Sequence, residues 1–203
     1  MSQPQTAAII LAGGKSTRLG RDKASEPLLG RPLLQHVLAA VAPQVDEVIV
    51  VTAQDQRLPD LAGTSITVVD DAYPDSGPLG GIYTGLSVCA APYAFVAACD
   101  MPLLKPALIS ELLRLAPGHN AVVPVDTDCR TQPLCAVYSR LCVDLLRARL
   151  DARELRVNDV LDALSPLYLT PDQWRHFDAN GVSFFNLNRE EDFVRAAALL
   201  SAP

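Results

Sequence analysis

Lysine is scarce in this chain. Lys15, Lys23 and Lys105 are the only three among 203 residues, and the formal net charge is -6 at pH 7. A general nucleic-acid binder needs a basic face, and this balance argues against one. A small anionic ligand stays compatible, because a local pocket can oppose the net charge. The five cysteines form no C-x-x-C pair, and His36, His119 and His176 stand apart without ligand spacing, which excludes the usual zinc sites. Free thiols, several in apolar surroundings, fit a reducing compartment. The opening MSQPQTAAIILAGG has neither a basic start nor a long apolar stretch, so neither a signal peptide nor a membrane span is expected, and a cytoplasmic location is the default. No low-complexity linker and no internal repeat divides the chain, so residues 1–203 are expected to form a single domain.

What is present is an alternation. Hydrophobic residues make up 49% and charged residues 20% of the chain, an ordinary globular balance. Continuous apolar runs at Ala7–Leu11, Glu47–Thr52, Ile66–Val69 and Tyr93–Cys99 predict buried strands, and Ala121–Val125 and Leu134–Tyr138 predict two more. Helical spacing over Pro32–Val41, Leu79–Ala90, Pro106–Leu115, Ser139–Leu150 and Arg189–Leu200 fills the intervals. Strands alternating with helices imply an α/β, three-layer, Rossmann-like fold with a mostly parallel sheet. Ligands in such folds bind beyond the carboxyl ends of the strands. Those ends carry Gly13-Gly14, Thr52, Asp70-Asp71 and Asp100, so glycines and carboxylates are expected along one edge.

The first strand runs into AGGKSTRLGRDKA, Ala12–Ala24. GKS suggests a Walker loop, but the glycine required five positions before Gly14 is Ile9, inside the strand. The dinucleotide fingerprint G-x-G-x-x-G is also absent. What remains is a strand, two glycines whose N–H groups can line a phosphate, and cations at Arg18 and Lys23 that can neutralise a triphosphate. Asp100 ends a buried strand, where a carboxylate can hold Mg²⁺ or cap the following helix.

LAGGKSTRLGRDKA, Leu11–Ala24, resembles the signature loop of the molybdenum cofactor guanylyltransferases, the MobA family. GPLGGI (Gly77–Ile82), CDMP (Cys99–Pro102), QPLCAVY (Gln132–Tyr138) and FFNLNREED (Phe184–Asp192) resemble further motifs of that family, in the same order. The resemblance implies a nucleotidyltransferase fold. It implies backbone contacts to guanine from Leu11, Ala12 and Gly13, a loop through Gly14, and Lys23 facing the phosphates. It also implies that Asp71 (or its neighbour Asp70), Gly77 and Gly81 contact the nucleotide, and that Asp100 binds Mg²⁺. Thr52 stands where family members carry asparagine, so a double amide contact becomes a single hydroxyl one. Asn186 and Asn188, alternating as on a strand, and Arg156 belong by resemblance to the pterin side.

The activity implied is transfer of GMP from GTP to molybdenum-molybdopterin, with release of pyrophosphate. Arg18, Lys23 and Asp100 would be the catalytic residues, acting by positioning and charge stabilisation. GTP and molybdenum-molybdopterin are the implied partners, with molybdoenzyme chaperones or a GTPase accessory protein as further expectations from the family. The alternatives are a cytidylyltransferase, whose loop reads LAAG rather than LAGG, a sugar-phosphate nucleotidyltransferase, and a non-catalytic nucleotide-binding adaptor.

Overall fold

Five of the β-strands owe their place to side chains that leave no polar face. In β1 (Thr6–Leu11) and β4 (Glu47–Thr52) every residue after the first is buried, as expected of strands covered on both sides. The computed structural model describes residues 5–13, 23–61 and 66–201. In chain order, a short hairpin of β2 (Pro27–Leu28) and β3 (Arg31–Pro32) leads into α1 (Leu33–Val41), followed by β4, β5 (Ile66–Asp70), α2 (Gly77–Val88) and β6 (Tyr93–Ala98). Then come α3 (Pro106–Leu115), β7 (Ala121–Pro124), β8 (Cys135–Ser139), α4 (Val143–Asp151), α5 (Val157–Leu164), β9 (Leu167–Leu169), α6 (Pro171–Trp174) and α7 (Glu190–Ser201).

Seven strands make one sheet in the order β5-β4-β1-β6-β8-β7-β9. The neighbours β5, β4, β1 and β6 are parallel, and β8 runs antiparallel to both β6 and β7. The reason for the reversal is the connection. Residues 125–134 join β7 to β8 without a helix, so the chain returns as a wide hairpin, whereas parallel pairs need a crossover. The start of β8 therefore lies on the same edge as the carboxyl ends of the other strands.

Alternation along β1 sorts the core into two layers. Ala8 and Ile10 pack with Leu34, Val37 and Leu108, under α1 and α3. Ala7, Ile9 and Leu11 pack with Leu79, Ile82 and Leu146, under α2 and α4. The expected three-layer α/β architecture with a mostly parallel sheet is the one the chain adopts. A third cluster, Leu28, Leu33, Leu103, Leu187 and Ala196, docks α7 and the segment before it against the loop that follows β6.

Several boundaries move from those expected. The glycine-rich helix is Gly77–Val88 rather than Leu79–Ala90, because Pro78 is accommodated in the first turn. The helix expected from Ser139 begins as a 3-10 turn, Arg140–Cys142, with the Ser139 hydroxyl accepting from Leu141 N, and becomes α-helical at Val143. The helix α5, strand β9 and helix α6 are additions to the sequence reading. No helix among the described residues is long and apolar enough to cross a membrane.

Candidate active site

The end of β1 is held from both sides. Ala12 N and Gly13 N both donate to Val51 O, at 2.8 and 3.1 Å, and Leu11 O accepts from Cys99 N at 3.0 Å. A Cβ on Gly13 would stand 2.8 Å from Ala53 N and 3.0 Å from Thr52 C, so only glycine lets the two strand ends cross this closely. The expectation that Gly13 offers a free N–H to a phosphate is corrected here, because that N–H is committed to β4. Gly14 and Arg18 lie outside the described residues. Gln56, which no sequence motif marks, ties the same point from below: its Nε2 donates to Ala12 O at 3.0 Å, and its Oε1 accepts from Ala53 N at 3.0 Å.

One charged centre joins three distant segments. Lys23 Nζ donates to Asp100 Oδ2 at 2.8 Å and to Asn188 Oδ1 at 2.9 Å, across 77 and 165 positions of sequence. The Lys23 and Asp100 side chains are 21% and 15% exposed, so the pair is shielded from water and worth more than a surface ion pair. The peptide of Asp100 is fixed too, because its carbonyl accepts from Leu187 N at 3.0 Å. Asp100 is no helix cap, since α3 begins later and is preceded by Lys105. Its second oxygen, Oδ1, is buried and has no hydrogen-bond partner among the described residues. Leaving such an oxygen unmet costs about 1–3 kcal/mol. A hard cation fits, because Mg²⁺ is commonly held by one or two carboxylates plus water and substrate phosphates. No group of three or more His, Cys, Asp or Glu that could hold a metal exists among the described residues.

The carboxylates after β5 are spent locally. Asp71 Oδ1 accepts from Tyr73 N and from Thr84 Oγ1, each at 3.0 Å, and Asp71 N donates to Thr52 O at 2.8 Å. Asp71 therefore clamps the end of β5 to α2. The buried Thr52 hydroxyl donates to Asp70 Oδ1 at 3.3 Å. Gly77 sits at the start of α2 with φ +62 and open space around it. Gly81, by contrast, is buried with its Cα facing Leu11, where a Cβ would come within 2.8 Å of Leu11 Cδ2. Its smallness serves helix-to-sheet packing.

NLN forms no strand. It follows a one-turn 3-10 helix, Val182–Phe184, and Leu187 between the two asparagines is fully buried. Asn188 reaches Lys23, whereas Asn186 Nδ2 turns back to Phe184 O at 3.4 Å. The reason is Asp178, a buried carboxylate that accepts from Val182 N at 3.2 Å and Ser183 N at 2.7 Å and so bends the chain before NLN. Arg156 is exposed at the start of α5. The bond from Thr131 Oγ1 to Asn158 Oδ1, 3.1 Å, sets that helix end beside the β7–β8 loop, on the same edge but on the β7 side. In that loop Asp126 accepts from Gln132 Nε2 at 2.8 Å. Burial pushes the Cys89 and Cys142 thiols up to about 11, and Cys135 is raised by burial and then by the Asp178 charge.

This geometry can be set beside known proteins. The family model of the MobA-like NTP transferase domain matches residues 8–167. A molybdenum cofactor guanylyltransferase of Desulfosudis oleivorans is 33% identical over 195 residues, covering 96% of this chain and 95% of its own. A probable molybdenum cofactor guanylyltransferase of Chloroflexus aggregans is 35% identical, covering 96% of this chain and 94% of its own. The crystal structure of molybdopterin-guanine dinucleotide biosynthesis protein A from Archaeoglobus fulgidus superposes with a TM-score of 0.82 at 26% identity, over 96% of this chain and 98% of that one.

Proposed function

The chain belongs to the family of MobA-like NTP transferase domains, and from that membership and the geometry we propose that it transfers GMP from GTP to molybdenum-molybdopterin. A terminal phosphate oxygen of molybdopterin attacks the α-phosphorus of GTP. A new P–O bond forms there, the bond to the bridging oxygen of the β-phosphate breaks, and pyrophosphate leaves with that electron pair. The nucleophile is a phosphate monoester, already anionic near pH 7, so no general base is needed. The task is to bring anions together in line, which is work for fixed cations and orientation.

The observation that carries the reading is Lys23 held between Asp100 and Asn188, with one Asp100 oxygen unmet among the described residues. Asp100 and the nucleotide phosphates would hold Mg²⁺, which when bound offsets phosphate charge. Lys23 is aimed by its two partners at the edge where the phosphates enter, and Arg18 adds a second cation from the loop. Leu11, Ala12 and Gly13 form the base side. Thr52 at the end of β4 and Asp71 just after β5 support it, and Gly77 marks the start of α2. Arg156, Asn186 and Asn188 would serve the pterin side, as the resemblance implies. The reading takes residues 1–203 as one nucleotidyltransferase domain working in the cytoplasm, with a molybdoenzyme chaperone or a GTPase accessory protein as the candidate protein partners. The names of the relatives favour guanine over the cytidylyl and sugar-phosphate alternatives.

The test is nucleotide use. Purified protein is incubated with molybdenum-loaded molybdopterin, Mg²⁺, and GTP or CTP, and pyrophosphate and the dinucleotide are measured. Product with GTP and not with CTP is expected. Product with CTP alone overturns the guanylyl assignment, and product with neither returns the chain to the adaptor reading.

A further inference from the structure

Gln56 fixes one peptide plane at the point where the base side begins. The peptide between Ala12 and Gly13 has two polar groups, and both are engaged. Its carbonyl accepts from Gln56 Nε2 at 3.0 Å, and its N–H donates to Val51 O at 3.1 Å. The Gln56 amide is itself oriented, because its oxygen accepts from Ala53 N at 3.0 Å. Gly13 presses against the Ala53 and Thr52 backbone, so the plane cannot slide. Ala12 N is also spent on Val51 O, at 2.8 Å.

The consequence is chemical. The N–H donors of residues 12 and 13 are used up, whereas each carbonyl oxygen has two lone pairs and keeps capacity. Among the described residues, the backbone at the end of β1 offers carbonyl acceptors with its N–H groups already engaged, which suits a base edge that presents donors. Guanine presents N1–H next to its 2-amino group. Cytosine and adenine place a ring-nitrogen acceptor beside a single amino group, and that nitrogen would face a carbonyl unpaired. We propose that Gln56 is a positioning residue for base selection, holding the Ala12–Gly13 peptide so that the remaining lone pair of the Ala12 carbonyl meets the 2-amino group of GTP. The proposal rests on the guanylyl reading above.

The test is calorimetric binding of GTP, ITP and CTP in Mg²⁺ to the intact chain and to the variants Gln56→Glu and Gln56→Leu. ITP keeps N1–H but lacks the 2-amino group. Glutamate keeps an acceptor for Ala53 N and loses the donor to Ala12 O, whereas leucine loses both. The wild type is expected to prefer GTP to ITP. Each variant is expected to lose about tenfold in GTP affinity, the worth of one good hydrogen bond, with a smaller loss for ITP, so that the ratio of the two falls. Gln56→Glu carries the test alone if the leucine variant does not fold. An unchanged GTP-to-ITP ratio, or equal losses for all three nucleotides, overturns the proposal and leaves Gln56 a loop tether. A wild type that prefers CTP overturns the guanylyl reading itself, and that arm involves no variant.

Discussion

Asp100 sets one oxygen against an ammonium and the other against no partner among the described residues, and this asymmetry predicts how its variants differ. Asp100→Asn keeps the size and removes the charge. It is expected to lower guanylyl transfer by about 100- to 1,000-fold and to abolish Mn²⁺ binding seen by paramagnetic resonance in the presence of GTP. Lys23→Met is expected to cause a similar loss of turnover while Mn²⁺ still binds, because the carboxylate survives. Asn188→Ala removes only one of the two partners that aim Lys23, so a fall of about three- to tenfold in kcat is expected, on the scale of one hydrogen bond. A loss as deep as that of Lys23→Met would show Asn188 acting on substrate directly. At this scale the sequence was partly legible. Lys23, Asp100 and Asn188 each belong to a motif, but Gln56 belongs to none. Its only sequence signal is a polar residue shortly after a strand end, which describes many loops.

The element that shapes the site from below is α2, and its glycines divide by what they face. A Cβ on Gly85 would meet Ile9 Cγ2 at 2.4 Å and two further Ile9 carbons under 3.0 Å. Ile9 is fully buried in the central strand and cannot move aside. Overpacking of this kind costs about 1–3 kcal/mol, against a gain of about 1 kcal/mol in helix propensity on replacing glycine by alanine. Gly85→Ala is therefore expected to lower the melting temperature by a few degrees, read by circular dichroism. A Cβ on Gly81 would meet only the tip of Leu11, 2.8 Å away at Cδ2, which can rotate. Gly81→Ala is expected to leave the melting temperature nearly unchanged and to raise the KM for GTP, because Leu11 leads into the base side. A melting loss as large as that of Gly85→Ala would show that Leu11 is as rigid as Ile9. The elements themselves were readable where the pattern was long. The missed helix α5 carries Val157, Val160, Leu161 and Leu164 at helical spacing, but its short span after the charged stretch DARELR weakened the signal. The three-residue β9 exists because β7 offers it an edge to pair with.

Across the whole molecule the packed sheet sets a response to alkaline pH. Burial pushes Cys89 and Cys142 from an ordinary value of 9.0 to about 11, and lifts Cys135 and Tyr138 as well. The folded chain thus holds protons that the unfolded chain releases. Stability from Cys89 and Cys142 is complete below pH 9 and is lost as pH rises from 9 through 11, and the loss from Cys135 and Tyr138 continues above that window. The urea midpoint is expected to fall across that window, and Cys89→Ala to make the fall shallower even if it lowers the midpoint at pH 7. A midpoint that stays flat to pH 11 would refute this. The same packing leaves Cys129 exposed while the other thiols are buried, so a thiol reagent at pH 7.5 is expected to label about one site quickly in the native protein and all five after denaturation.

By itself the sequence determined the alternation of buried strands and helices, and therefore the parallel α/β class. It also determined that glycines, a lysine and carboxylates stand at strand ends. These are local properties, decided by the spacing of apolar side chains over a few residues. Only the tertiary structure decided that Lys23, Asp100 and Asn188 share one centre, that NLN is a bent loop and not a strand, and that the N–H of Gly13 is spent on β4 while Gln56 holds the carbonyl before it. Each depends on which strands become neighbours. The order β5-β4-β1-β6-β8-β7-β9 is set by how two core layers close over the sheet, and no short stretch of sequence carries that information.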